Sequence, residues 1–254
     1  MFILIGLGIS GDLTLHGKEL AEKCDEIYAE VHTGILQTGW QKKLERLINK
    51  KIIILEREIL ETDFIIKKAK KTKIALLTAG DPLAATTHYT HLQDAKKAGI
   101  KVKVVHNSSI FISAPGKCGL QHYTFGKTVT LAYWKKNYEP TSALEIVEKN
   151  LKDGLHTLLL LDLDKTLGAM NAKNAFELIE KMERKLERKI IDKLIVLSRV
   201  GWKDEKISYG KISQLKNKKL GKTPFCFIIP GKLHFTEEEN LKEFESYSSS
   251  YASK

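Results

Sequence analysis

Short apolar runs alternate with amphipathic segments along the chain, a pattern typical of strands and helices that follow one another. In the first half, the runs predict buried strands over residues 2–5, 26–29, 52–55, 73–77 and 101–105. The segments between them predict helices over 15–23, 40–48, 64–71 and 87–98, with Thr14 as the N-cap of the first helix. This half therefore predicts an α/β domain with parallel strands covered on both faces.

The second half continues the alternation after a segment rich in small residues. Residues 113–117 read Ser-Ala-Pro-Gly-Lys, so we predict a linker between a domain of residues 1–112 and one of residues 118–245. Thr236 and Glu239 predict a capping box for the last helix, and the Ser-rich residues 246–254 predict a flexible tail. The second domain is expected to hold strands over 128–133, 158–163, 194–198 and 225–229, and helices over 143–150 and 172–189.

The stretch from Leu76 to His88 joins a buried strand to a helix through an unusual turn. Gly80 permits a backbone conformation that other residues avoid, Asp81 can accept hydrogen bonds from nearby amides, and Pro82 fixes φ for a following helix. Open α/β sheets bind ligands in loops at the carboxyl ends of their strands. We therefore predict a ligand-binding loop at residues 80–82.

Composition narrows the class of protein. The 254 residues are 43% hydrophobic, which is enough for one large core or two of average size. No run reaches the ~18 apolar residues of a membrane span, and no signal peptide is visible, so we expect a cytoplasmic protein. Cys24, Cys118 and Cys226 are too widely spaced to indicate a disulfide framework or a zinc site.

The formal charge of +11 comes from lysines spread over nearly every segment. The basic clusters contain no interleaved aromatic residues, and no nucleic-acid-binding motif occurs. The charge therefore favours an acidic protein partner or a solvated surface over nucleic acid.

A glycine-rich sequence after the first strand offers an alternative function. Residues 6–11, Gly-Leu-Gly-Ile-Ser-Gly, match the G-x-G-x-x-G fingerprint of dinucleotide-binding folds, and Glu30 lies at a suitable distance for a ribose contact. From the residues alone, a nicotinamide-dependent oxidoreductase therefore stays open.

Other candidate chemistry is weaker. His88 and His91 are three residues apart, but no third metal ligand lies at a helpful spacing, so we predict solvated helix residues and no metal site. Asp162 and Asp164 follow a strand and could act in acid–base chemistry, although carboxylates at strand ends are common on surfaces. The sequence contains no G-x-S-x-G elbow and no Walker A pattern.

The order of several motifs resembles the tetrapyrrole-methylase-like methyltransferases, which use S-adenosylmethionine. The likeness spans nearly the whole chain and rests on Gly6-Leu7-Gly8, Ala29-Glu30, Gly80-Asp81-Pro82-Leu83, Ala85-Thr86-Thr87-His88, His106-Asn107-Ser108-Ser109-Ile110, Phe125-Gly126-Lys127, Pro140-Thr141-Ser142, Gly154-Leu155-His156-Thr157-Leu158 and Pro230-Gly231-Lys232-Leu233-His234. Within the family, the chain is most similar to members that methylate a modified histidine of translation elongation factor 2.

The resemblance implies two α/β domains with S-adenosylmethionine in the cleft between them, and a homodimer. It implies cofactor contacts at Ile9, Asp81, Ala84, Ser109, Ile110 and Leu161. Two further contacts, Val200 and Phe225, stand where the family commonly has Ala and His. In this family the loop at residues 6–11 carries no pyrophosphate. The runner-up within the family is a methyltransferase of cobalamin synthesis.

Methyl transfer from a sulfonium needs little acid–base help, because the cofactor carries the reactive methyl group and the protein holds an amine in line behind it. We therefore predict no catalytic side chain.

Overall fold

A computed structural model describes residues 1–84 and 86–245, so the predicted tail, residues 246–254, lies outside the described residues. The chain divides into two compact units, Met1–Phe111 and Ile112–Lys254. Each unit is built around a five-stranded sheet. The predicted α/β class with two α/β domains is therefore confirmed.

The first unit holds a parallel sheet in the order β3-β2-β4-β1-β5. Its strands are β1 (Phe2–Gly6), β2 (Glu26–Glu30), β3 (Ile52–Leu55), β4 (Ile74–Thr78) and β5 (Val102–Val105). Its helices are α1 (Leu15–Glu22), α2 (Trp40–Ile48), α3 (Arg57–Leu60), α4 (Phe64–Lys71) and α5 (Tyr89–Lys97). Thr14 caps α1 as predicted, because its Oγ1 accepts the backbone N–H of Gly17 at 3.0 Å.

Alternate residues of the central strands pack on opposite faces of this sheet. Ile3 and Ile5 of β1 lie in a core with α1 and α2, whereas Phe2 and Leu4 lie in a core with α3, α4 and α5. The two neighbouring strands β1 and β4 are therefore followed by helices on opposite faces, α1 and α5. This reversal is a topological switch point, and open α/β sheets bind ligands outside the carboxyl ends of their strands at such points.

The second unit holds a mixed sheet in the order β11-β10-β12-β7-β6, in which only β6 and β7 are paired in parallel. Its strands are β6 (Val129–Leu131), β7 (Thr157–Leu161), β10 (Lys193–Ser198), β11 (Lys206–Lys211) and β12 (Phe225–Ile229), and β8 (Leu163–Asp164) pairs with β9 (Gly168–Ala169). Its helices are α7 (Ser142–Lys152), α8 (Ala172–Lys185), α9 (Ile212–Leu215) and α10 (Phe235–Lys242). One core, with Phe176 stacked on Phe227, lies between this sheet and its helices.

Several sequence predictions differ from the structure. Residues 113–117, predicted as a linker, lie in helix α6 (Ile110–Lys117), because Ala114 and Pro115 are buried and packing outweighs low helix propensity. The last helix is capped by His234 and Glu237, not by the predicted Thr236 and Glu239. Strand β11 was not predicted.

None of the helices in the described part of the chain combines the length and the apolar character needed to cross a membrane. The three cysteines are buried free thiols. Burial raises the pKa of the Cys226 thiol to about 12.

Candidate active site

The loops after β1 and β4 are joined by a pair of backbone hydrogen bonds at the switch point. Gly8 N–H donates to Gly80 O, and Gly80 N–H donates to Gly8 O, both at 3.0 Å. Both glycines have positive φ, +61° at Gly8 and +69° at Gly80. A Cβ on Gly8 would lie 2.7 Å from Ser108 Oγ, whereas a Cβ on Gly80 would have, among the described residues, Ser108 O at 3.9 Å as its one neighbour within 4 Å. Gly8 is therefore required for close packing, while the space beside Gly80 is open to a ligand.

Asp81 organises the loop after β4 through three hydrogen bonds. Its Oδ1 accepts Leu83 N–H at 3.0 Å, and its Oδ2 accepts His106 Nδ1–H at 2.8 Å and Asn107 N–H at 3.3 Å. His106 and Asn107 follow β5, so one carboxylate connects the ends of two strands. A carboxylate offers about four acceptor positions, so Asp81 keeps capacity for one more donor.

The loop after β5 is anchored to the loop after β1. Asn107 Nδ2 donates to Gly6 O and to Asp12 O, both at 2.9 Å, and Ser108 Oγ accepts Ile9 N–H at 3.2 Å. Ser109 Oγ accepts the Phe111 N–H at 3.3 Å where α6 begins. These side-chain bonds hold three loops at one edge of the sheet.

The structure brings together the five cofactor contacts predicted in the first unit. They lie on the loops after β1, β4 and β5 and at the start of α6, and each is partly exposed: Ile9, Asp81, Ala84, Ser109 and Ile110. A row of half-buried residues around open backbone fits a small-molecule site, where apolar walls surround a few polar groups.

The three contacts predicted in the second unit also lie close together. Leu161 ends β7, Phe225 begins β12 and Val200 follows β10, and the register pairs Ser198 with Phe225 and Cys226 with Leu160. Leu161 and Phe225 are partly buried, but Val200 is 6% exposed. A ligand contact at Val200 would therefore run mainly through its backbone.

Asp162 and Asp164 have structural partners. Asp162 Oδ2 accepts the Tyr133 N–H at 3.0 Å and so ties the ends of β6 and β7 together. Asp164 pairs with Lys135 and accepts the N–H groups of Thr166 and Leu167, which together lower its pKa to about 2. These contacts account for the positions of both carboxylates, and neither residue needs a catalytic role.

The dinucleotide alternative does not fit the geometry. Helix α1 begins at Leu15, beyond the third glycine of the fingerprint, and the N–H groups of Leu7, Gly8 and Ile9 already donate to Thr78 O, Gly80 O and Ser108 Oγ. The helix N-terminus and free amides that would hold a pyrophosphate are therefore not provided by this loop. The structure instead shows a tight turn that is hydrogen-bonded to the loop after β4.

Glu30, the residue expected to contact a ribose, is also unsuitable. Strand β4 separates β2 from β1, and the Glu30 side chain is completely buried. Its carboxylate accepts the N–H groups of His32 and Thr33, at 2.9 and 3.1 Å, and the Thr33 hydroxyl.

The prediction that His88 is a solvated helix residue is wrong. His88 precedes α5 and is 2% exposed, with its ring directed toward Glu30 and stacked on His91 at 6.2 Å between centroids. Burial is the main cause that lowers its pKa, which favours the neutral imidazole. The structure groups His88 with Glu30 and His32, in a cluster of possible metal ligands that does not include His91. Glu30 and His32 are close in sequence, but His88 is far from both, so no local pattern indicates the cluster.

Comparison with known proteins places this geometry in a family. The sequence profile of the Tetrapyrrole (Corrin/Porphyrin) Methylases matches residues 1–216. The chain therefore belongs to the tetrapyrrole methylase family, and the resemblance seen in the sequence is confirmed.

Within the family, the similarity is to diphthine synthases over nearly the full length. The chain is 40% identical over 252 residues to the diphthine synthase of Methanocaldococcus jannaschii, covering 95% of this chain and 98% of the relative. It is 41% identical over 250 residues to that of Methanococcus aeolicus, covering 95% and 97%. A crystal structure of a candidate diphthine synthase from Entamoeba histolytica superposes with a TM-score of 0.88 at 34% identity, covering 97% of this chain and 99% of the other.

Proposed function

We propose that this protein is an S-adenosylmethionine-dependent N-methyltransferase that converts a modified histidine of translation elongation factor 2 to diphthine. The proposal rests on sequence identities of 40% and 41% to two diphthine synthases, each along 95% of the chain. The acceptor is the amino group of a 3-amino-3-carboxypropyl substituent on that histidine. Three transfers would give the trimethylammonium, which has no further capacity for methyl groups.

The loops at the switch point supply the features that a cofactor site needs. The open space beside Gly80 allows a ligand to approach the backbone, and Asp81 retains an acceptor position for a donor group. We assign Ile9, Ala84, Ser109 and Ile110 to the apolar and backbone walls around the ligand. In the second unit, Leu161, Val200 and Phe225 are proposed as further contacts on the strength of the family likeness.

The reaction requires these residues to position the two substrates and to exclude water. When bound, S-adenosylmethionine supplies an electrophilic methyl group on sulfur. The protein has to hold the acceptor amine neutral and in line with the methyl–sulfur bond, because a protonated amine has no lone pair to donate. Turnover is therefore expected to rise with pH through the pKa of the substrate amine.

The basic surface fits a protein substrate that carries acidic patches. A net charge of +11 would accelerate encounter with such a partner, and the association rate would fall as salt is added. A translation factor as substrate places the reaction in the cytoplasm. The family likeness also supports a homodimer, which light scattering coupled to size-exclusion chromatography measures.

The deciding experiment combines the purified protein, labelled S-adenosylmethionine and elongation factor 2 whose histidine already carries the 3-amino-3-carboxypropyl group. Mass spectrometry should show up to three added methyl groups on that histidine, and none on a factor lacking the substituent. Transfer of label to a tetrapyrrole, with none to the factor, would move the function to the cobalamin-pathway branch of the family.

A further inference from the structure

Two histidines and a glutamate converge beside the carboxyl ends of β2 and β4. His32 Nδ1 lies 3.1 Å from Glu30 Oε2, and His88 Nε2 lies 3.6 Å from Glu30 Oε1. The three ligand atoms are all within 4.8 Å of one another. The side chains of Glu30 and His88 are 0% and 3% exposed, and that of His32 is 26% exposed. The cluster is therefore a buried pocket of donor atoms with one accessible side.

Unpartnered polar atoms concentrate at this position. In residues 1–84 and 86–245, the buried side-chain atoms without a hydrogen-bond partner are His32 Nδ1, His88 Nε2 and Thr78 Oγ1. Thr78 ends β4, and strand alternation directs its side chain to the same face as Leu76 and the α5 core. Because buried polar atoms without partners are rare and costly, the presence of two of them, His32 Nδ1 and His88 Nε2, in one cluster indicates a bound group that satisfies them.

The orientation of the His88 ring supports a ligand role. His88 Nδ1 lies 2.8 Å from Thr86 Oγ1 and 3.3 Å from Pro82 O, and a carbonyl oxygen can only accept. With the proton on Nδ1, the Nε2 lone pair faces a carboxylate oxygen, which is repulsive unless a second proton or a metal cation lies between them. Metal-bound histidines commonly donate their other ring N–H to a carbonyl in this way.

The carboxylate of Glu30 accepts three hydrogen bonds but, in the part of the chain that the structure describes, has no permanently charged partner. Among the described residues, its ion-pair partners are the two histidines alone, and no lysine or arginine pairs with it. A buried carboxylate is costly unless it is paired or coordinates a metal. A divalent cation would neutralise it and use both imidazole lone pairs.

The separations match coordination by a single ion. Ligands about 2.1 Å from a tetrahedral metal are about 3.4 Å apart, close to the distances of both histidines from the carboxylate. We propose that Glu30, His32 and His88 bind a divalent first-row transition metal, for which two imidazoles and a carboxylate make Zn²⁺ the best match. The metal fastens the loop from Gly80 to His88 onto the end of β2, and so holds the loop that carries Asp81.

The test is metal binding by the full chain, without an affinity tag, after treatment with a chelator and dialysis. Titration with Zn²⁺ against a chromophoric chelator should show one tight equivalent per chain in the wild type. His32→Ala and His88→Gln should each lose that equivalent, and Thr86→Val should weaken it about 10- to 100-fold by freeing the His88 ring. His91→Ala is the matched control, because its ring neighbours His88 but offers no atom to the cluster.

Thermal melting provides the second measurement and also reports whether each variant folds. Zn²⁺ should raise the melting temperature of the wild type and of His91→Ala, since a ligand bound only to the folded state stabilises it. It should not raise that of His32→Ala, whose partly exposed side chain can be removed with little loss of packing. The proposal is overturned if the wild type takes up no tight equivalent, or if His32→Ala and His88→Gln bind Zn²⁺ as the wild type does.

Discussion

Replacing Asp81 by asparagine tests whether the switch-point loops form the cofactor site. Asparagine keeps the size of the side chain but removes its charge and replaces one acceptor oxygen with an NH₂ donor. In either orientation of the amide, the NH₂ group faces a donor, Leu83 N–H on one side or His106 Nδ1–H and Asn107 N–H on the other. At least one hydrogen bond is therefore lost, and the remaining ones no longer involve a charged group.

A hydrogen bond to a charged group contributes about 1.5–3 kcal/mol, and partial solvation of Asp81 reduces this to about 1–2 kcal/mol. If the loop must be ordered for the cofactor to bind, this loss raises the dissociation constant of S-adenosylhomocysteine about 5- to 30-fold. Isothermal titration calorimetry on wild type and Asp81→Asn measures the ratio directly. The melting temperature of the variant without ligand shows whether the fold is intact.

Asp162→Asn is the matched control for this experiment. Its carboxylate also accepts a backbone N–H at the end of a strand, from Tyr133 at 3.0 Å, but no side-chain contact with the cofactor is proposed for it. The control should change the dissociation constant less than Asp81→Asn does. A reversed order of the two effects would show that the cofactor site has been assigned to the wrong strand end.

Three further outcomes are expected. Gly8→Ala should destabilise the protein in urea unfolding by more than the about 1–2 kcal/mol that a left-handed backbone conformation costs, because its Cβ would lie 2.7 Å from Ser108 Oγ. Gly39→Ala, where the described part of the chain places no atom within 4 Å of the new Cβ, should show the backbone effect alone. Burial lowers the pKa of His156, whose Nδ1 accepts the Gly231 N–H. As the pH falls below about 6.5, the ordinary pKa of histidine, this residue therefore gains a proton in the unfolded chain before it does so in the folded protein. Stability should therefore fall as pH drops from about 6.5, and His156→Gln should reduce this dependence in urea titrations at several pH values. Calorimetry should detect S-adenosylmethionine binding and no binding of NAD or NADP, and tight nicotinamide binding alone would restore the oxidoreductase hypothesis.

The parts of the fold that were predicted correctly are those that local chemistry determines. Residues next to one another in the chain determine the apolar run of β4, the positive φ of Gly80 and the hydrogen bond that Asp81 accepts from a nearby backbone N–H. Strand β11 was missed because its sequence, Lys-Ile-Ser-Tyr-Gly-Lys, is polar and lies at the edge of the sheet. Lysines at both ends suit an edge strand, which has to resist pairing with other chains, but they weaken the apolar pattern that predicts a strand.

The histidine–glutamate cluster was missed for a different reason, since its geometry depends on strand order. Glu30 ends β2, and His88 follows the loop after β4, so the two meet only because β4 is inserted between β2 and β1. In the dinucleotide-binding order, β2 would lie beside β1, and Glu30 would face the glycine-rich loop instead. Periodicity predicts that each strand is buried but does not say which strands are neighbours. The same glutamate therefore predicts a ribose contact in one sheet order and a metal ligand in the other, and the observed order with its unpartnered imidazole nitrogens favours the metal.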